Sequence, residues 1–154
     1  MFAGLLTKVG IYAILRLETL LFPPASQLNV LLLAAAALSL IIGIFGAVAQ
    51  TDLKRVLSFT LVSHMGGFML FGIGMSTRIG MAATIYYVAH HITVQSTLFL
   101  AAGLIEHRGG GSTNLARLGG GLAKVAPVVA VLFFIPAMNL SGIPPFSGFI
   151  GKVG

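Results

Sequence analysis

Five titratable side chains sit where an otherwise apolar sequence should exclude them: Lys8, His64, His90, His91 and Lys152. A lysine at the centre of a bilayer costs about 2.5–3.5 kcal/mol on insertion scales, so such residues face a protein interior or water rather than lipid. Histidine titrates near neutral pH and can hand protons on. Lysines and histidines buried together at membrane depth therefore point to the movement of protons or cations. Lys152 also stands beyond a helix break, in Ser141-Gly142-Ile143-Pro144-Pro145-Phe146-Ser147-Gly148-Phe149-Ile150-Gly151-Lys152. Proline removes a backbone donor and clashes with the preceding turn. Backbone freed at membrane depth must be satisfied by protein or by water in a cavity, so Gly142, Pro144 and Pro145 mark a pathway.

Each residue also has a plainer reading. Lys8 lies near enough to the start of its run for its ammonium to snorkel to the interface, and Tyr12, one turn on, is placed to share a polar face with it. His64, beside Ser63 and before Gly66-Gly67, reads equally as a structural hydrogen bonder where two helices pack closely. His90 and His91 project about 100° apart on a helix, so one path does not face both equally. Tyr87, His91 and Gln95 recur at i, i+4 on one face. A metal site is not expected, because adjacent helical histidines make poor joint ligands and no carboxylate or thiolate lies near. Glu18 reads as an interfacial charge, and Thr51 or Asp52 as the N-cap of the helix that follows.

The elements that hold these residues are apolar runs. Of 154 residues, 57% are hydrophobic and 8% charged, with a mean hydropathy of +1.03. Soluble domains carry about 25% charged residues, so the composition predicts an all-α membrane protein and excludes a soluble enzyme. Nine Lys and Arg against three acids are spread singly or in pairs between the runs, which is a topology signal and not a nucleic-acid-binding face. There is no cysteine, hence no disulfide framework, thiolate cluster or iron–sulfur site, and no cofactor is expected. With tryptophan also absent, interface anchoring falls to Tyr12, Tyr86, Tyr87 and the basic residues. Five helices are predicted, at about 2–22, 28–49, 56–75, 79–105 and 125–143, with a partial half-helix at 146–154. Pro23-Pro24 stops the first. The 106–124 connection, with Gly109-Gly110-Gly111 and Gly119-Gly120-Gly121, reads as a flexible linker; no strand precedes it and no GK[ST] follows, so it is not a phosphate loop. The start has no basic n-region or cleavage site of a signal peptide, and the stop at Gly154, soon after Lys152, makes the chain read as a fragment of a larger helical bundle.

Loop charge sets an orientation. Arg16 and Arg78 lie on one side; Lys54, Arg55, Arg108, Arg117 and Lys124 lie on the other. The positive-inside rule puts loops 50–55 and 106–124 in the cytoplasm.

Several segments in order carry a resemblance: Gly4 to Tyr12 around Lys8, Ala49-Gln50-Thr51-Asp52-Leu53-Lys54-Arg55, Ser63-His64-Met65-Gly66, Tyr87-Val88-Ala89-His90-His91, and Gly142 to Lys152. Over nearly its whole length the chain resembles the proton-conducting antiporter-like membrane subunits shared by Mrp-type multisubunit sodium/proton antiporters and respiratory complex I, and most of all the D-type subunits of the Mrp antiporters. The resemblance implies helices eight to twelve of such a protein. It implies a place on the central polar axis for Lys8, an outward connection through His90 or His91, and a terminal position on the broken helix for Lys152. A lysine at that last position favours the antiporter type. The family's upstream glutamate and lysine pair is not among these residues, and Gln95 stands where some relatives have a lysine, so a protonatable role there is not expected.

The expected function is a membrane subunit of a monovalent cation (Na+ or K+)/proton antiporter, a transporter and not an enzyme, with protons moving along lysines, histidines and water. Its partners would be other membrane subunits, protons, Na+ or K+ and the lipid bilayer of a cell membrane, most simply a bacterial inner membrane. The alternatives are a proton-pumping subunit of complex I or of a membrane-bound hydrogenase, and a non-transporting helical scaffold in which Lys8, His91 and Lys152 tolerate neutral substitution.

Overall fold

The computed structural model describes residues 2–21, 27–75, 77–118 and 126–153. Its elements are α1 (Phe2–Leu21), α2 (Gln27–Val48), α3 (Leu53–Ser63), a π-helical segment (His64–Leu70), α4 (Phe71–Gly74), α5 (Arg78–Arg108), the short α6 (Leu115–Leu118), α7 (Pro127–Ser141) and α8 (Ser147–Val153). Among the described residues there is no β-strand; the one β-type pairing is an isolated bridge between Asp52 and Asn114. The Pro23-Pro24 stop, the second glycine run and Lys124 lie outside the described residues.

Among the described residues, three helical stretches are long and apolar enough to cross a membrane: Gln27–Val48, the continuous run Leu53–Gly74, and Arg78–Arg108. The 20 residues of α1 reach about 30 Å, a hydrocarbon thickness, but include Lys8, Arg16 and Glu18. Two of these charges turn inward: Lys8, Ile11 and Glu18 are all buried, and their spacing of three and seven residues puts them on one helical face. Glu18, expected as an interfacial charge near the end of this helix, turns toward protein rather than outward. Tyr12 does not join Lys8. It is exposed, and the Arg16 guanidinium lies 5.9 Å from its ring centroid. Tyr87, expected at the interface, is 2% exposed; only Tyr12 and Tyr86 remain on the outside.

α2 lies along α3, the π-helical segment and α4, and α5 lies against α7 and α8. The close approach of α2 rests on small residues: a Cβ on Gly66 would collide with the Ser39 side chain, and one on Gly43 would lie 2.5 Å from the Ser63 Cβ. Small residues of this kind let membrane helices pack backbone to backbone. Most of the large side chains of α2 remain exposed, Phe45 and Val48 among them, as suits a helix facing lipid or a neighbouring helix.

α3 and the C-terminal end of α5 meet at one end of the molecule. Leu53 N–H donates to Thr113 O at 2.9 Å and Leu115 N–H to Thr51 O at 2.9 Å. Lys54 and Glu106 pair at 2.6 Å. Asp52 is the N-cap, accepting from the backbone N–H of Lys54 and Arg55 and from the Thr113 hydroxyl. The Thr113 bond, helped by those two N–H groups and the Arg55 charge, holds the Asp52 carboxyl below the usual carboxylate range. The two connections expected in the cytoplasm are thus tied together at one end, and the first glycine run is an ordered turn, with Gly110 and Gly111 at positive φ.

Candidate functional site

The helix break is built from the sequence upward. α7 ends at Gly142, at φ 76° and ψ 36°, the left-handed conformation that glycine adopts without penalty. Its N–H returns to Asn139 O at 3.1 Å. The Pro144–Pro145 peptide bond is cis, and α8 starts at Ser147. The last carbonyls of α7 need donors, and the Lys152 ammonium supplies them, donating to Leu140 O and Ser141 O at 3.0 Å each. Its stem runs over Gly142, where a Cβ would come within 2.8 Å of Lys152 Cδ. On the other side of the break, Asn139 Oδ1 accepts from Gly148 N–H at 2.9 Å and from the Ser147 hydroxyl at 3.3 Å. Ser147 Oγ also lies 3.3 Å from His90 Nδ1.

The two adjacent histidines divide as their helical angle requires. His90 faces the break through Ser147. His91 points inward and is fully buried. Its ring centroid is 5.4 Å from that of His64 and 5.8 Å from that of Tyr87. His64 Nδ1 and the Tyr87 hydroxyl are hydrogen bonded at 2.5 Å. His64 opens the π-helical segment, a wide turn often found where a helix has a function beyond packing. Phe68, on the same segment, lies 4.9 Å from the Lys152 ammonium by ring centroid. Lys8 is 4% exposed, so its ammonium does not snorkel. It shares a face with Ile11, which packs with Met69, Ile73 and Tyr87, and α1 itself lies against α5 and the π-helical segment.

The five residues expected to carry chemistry are therefore drawn toward one interior from α1, the π-helical segment, α5 and α8. Sequence reasoning missed Tyr87 as a partner of His64, Phe68 as the ring beside Lys152, and Asn139 as the organiser of the break. A polar Asn139 one turn before Gly142, in an otherwise apolar run, was the available signal for the last.

Several buried polar atoms have no hydrogen-bond partner among the described protein groups: Lys8 Nζ, both ring nitrogens of His91, His90 Nε2 and Gln95 Oε1. Gln95 uses its amide nitrogen on Leu57 O at 3.0 Å. Buried ammonium and imidazole groups are too costly to leave bare, so this interior calls for water or for polar groups from outside these residues. Among the described residues no group of three or more His, Asp and Glu side chains comes together as a metal site.

An all-α membrane fold with lysine and histidine in its buried middle, beside a broken helix, defines the class: a membrane-spanning protein with a polar interior. Residues 1–154 match the membrane family described as "NADH:quinone oxidoreductase/Mrp antiporter, TM", and the chain belongs to that family. It is 48% identical over 153 residues to the D subunit of a Na(+)/H(+) antiporter of Alkalihalophilus pseudofirmus, covering 99% of this chain and 30% of that one. It is 37% identical to the protein of the same name from Bacillus subtilis, again across 99% of this chain and 30% of the other. It is 39% identical to "Putative antiporter subunit mnhD2" of Staphylococcus epidermidis, with the same coverage. The chain thus spans about 30% of the length of the curated relatives it matches.

Proposed function

We propose that these residues form part of the proton-conducting interior of a membrane subunit of a monovalent cation (Na+ or K+)/proton antiporter. One observation carries the reading: lysine and histidine side chains from four separate helical segments converge, with several of their buried polar atoms lacking a partner among the described residues. Lys8 receives protons from the cytoplasmic side, His64 and His91 lie at the middle, and His90 leads through Ser147 to the break, where Lys152 exchanges outward. Loops 50–55 and 106–124 face the cytoplasm in this scheme, and other membrane subunits of the complex flank the exposed helices. The names of the relatives support an antiporter over an electron-transfer-driven pump, as does the lysine at 152. The family also includes complex I subunits, and the same interior would serve there with redox partners.

The test is transport in inverted vesicles carrying the full-length protein in its complex. Lys8→Ala and Lys152→Ala are each expected to abolish the pH change that added Na+ or K+ drives, while the complex still assembles. Normal exchange by both variants would refute the reading and leave a helical scaffold.

A further inference from the structure

Two clefts end at the same pair of side chains. One, of about 420 Å³, is lined by Thr84, Tyr87, Phe68 and Lys152 among others. The second, of about 440 Å³, is lined by Thr60, Ser63, His64, Phe68 and Lys152 among others. Tyr87 borders only the first and His64 only the second, whereas Phe68 and Lys152 border both. The Phe68 ring lies 5.5 Å from the His64 ring and 5.7 Å from the Tyr87 ring, tilted against each. It stands as an apolar wall between the clefts. The hydrogen bond between His64 and Tyr87 crosses beside that wall, with the two rings only 7° from parallel.

We propose that Tyr87 is itself a proton-carrying residue, paired with His64 as a polar connection across the Phe68 wall, beside Lys152, which borders both clefts. The inference rests on the proton-relay reading above and adds a residue to it.

The step balances. His64 begins neutral, with its proton on Nδ1 donated to the Tyr87 oxygen, and the Tyr87 O–H turned to the first cleft. A proton from the second cleft binds His64 Nε2. The Nδ1 proton passes to the Tyr87 oxygen as the original hydroxyl proton leaves for an acceptor in the first cleft. One proton enters, one leaves, and both side chains end neutral. A turn of the His64 side chain that presents Nε2–H to the Tyr87 oxygen, with the hydroxyl turned back to the first cleft, readies the pair for the next proton. A tyrosine suits the position because its hydroxyl donates and accepts at once, so it need never hold a full charge inside the membrane, where charge is costly.

The experiment uses the full-length protein in its complex, in inverted vesicles, with Tyr87→Phe as the first variant. It keeps the ring and removes the hydroxyl. Cation-driven proton exchange is expected to fall about a hundredfold, the usual scale for a positioned proton carrier, with assembly unchanged. Adding Phe68→Ala to Tyr87→Phe removes the wall and lets water join the clefts. Proton flux should then return, but without dependence on the cation. A purely structural hydroxyl would instead lower exchange only in step with assembly, leaving transport per assembled complex unchanged. Parental exchange by Tyr87→Phe overturns the proposal, and so does a loss that Phe68→Ala fails to relieve. If Tyr87→Phe does not assemble, His64→Gln carries the same expectation and the same rescue. Lys152→Ala separates the two levels: with it inactive and Tyr87→Phe active, only the role of Tyr87 fails, whereas an active Lys152→Ala removes the relay itself.

Discussion

The two halves of α5 are built differently. Toward its C-terminal end, Val94, Leu98, Ala102 and Ile105 pack with Leu53, Leu57 and Leu140. All the buried side chains in that cluster are apolar; its polar contacts are the Gln95 amide on the Leu57 carbonyl and, at the outer end, the Asp52–Thr113 and Lys54–Glu106 pairs. Toward its N-terminal end, Tyr87 packs with Ile11, Met69 and Ile73, and the same interior also receives His64, His91 and Lys8. One half is an apolar plug; the other combines buried polar atoms with adjoining clefts. Gln95 marks the boundary, spending its amide nitrogen on Leu57 of the plug and leaving its oxygen without a protein partner. Composition changes with it: Tyr86, Tyr87, His90 and His91 stand in the N-terminal half, and Leu98, Leu100 and Leu104 in the C-terminal half. What separates the two halves is whether buried polar groups are satisfied and whether space lies next to them.

The largest expected effect falls on the plug. Leu98→Ala, at a residue almost wholly buried, should cost about 2–5 kcal/mol of stability, read as a lower melting temperature of the solubilised complex. Transport per assembled complex should hold, unless the plug is part of the path, in which case the contrast breaks. His91→Leu tests the other half. It replaces two unpartnered ring nitrogens with an apolar side chain, so melting should stay level or rise, while exchange falls about a hundredfold. A variant that loses stability and keeps transport would reverse the assignment of the two halves. The smallest effect belongs to the outer junction. The Asp52 carboxyl is held low by its Thr113 bond, so its contribution to the junction is present above the ordinary carboxylate pKa and is lost as pH falls through the depressed value. Thr113→Val should move that loosening to higher pH, detected as earlier protease cleavage at Gly109–Gly111.

Much of this was legible in the sequence because apolar runs bounded by charge and glycine leave few alternatives. A cap at Thr51 or Asp52 and the split between His90 and His91 followed from the sequence; the structure assigns the cap to Asp52. The π-helical turn was not legible, since Met65, Gly66, Gly67, Phe68, Met69 and Leu70 offer no polar face by which to count residues per turn. Tyr87 was misplaced because an isolated tyrosine in an apolar run looks the same whether its hydroxyl meets headgroups or a histidine 23 residues away. Lys8 was ambiguous for a related reason: its distance from the helix start permits snorkelling, and only the packing of α1 on α5 and the π-helical segment removes that choice.

At the break, one ammonium holds the last carbonyls of α7 from its place on α8. A charge is thereby made into a fastener between two half-helices. Whatever draws that charge toward another partner must also unfasten the joint, so the stiffness of the hinge and the whereabouts of a single cation are one variable rather than two.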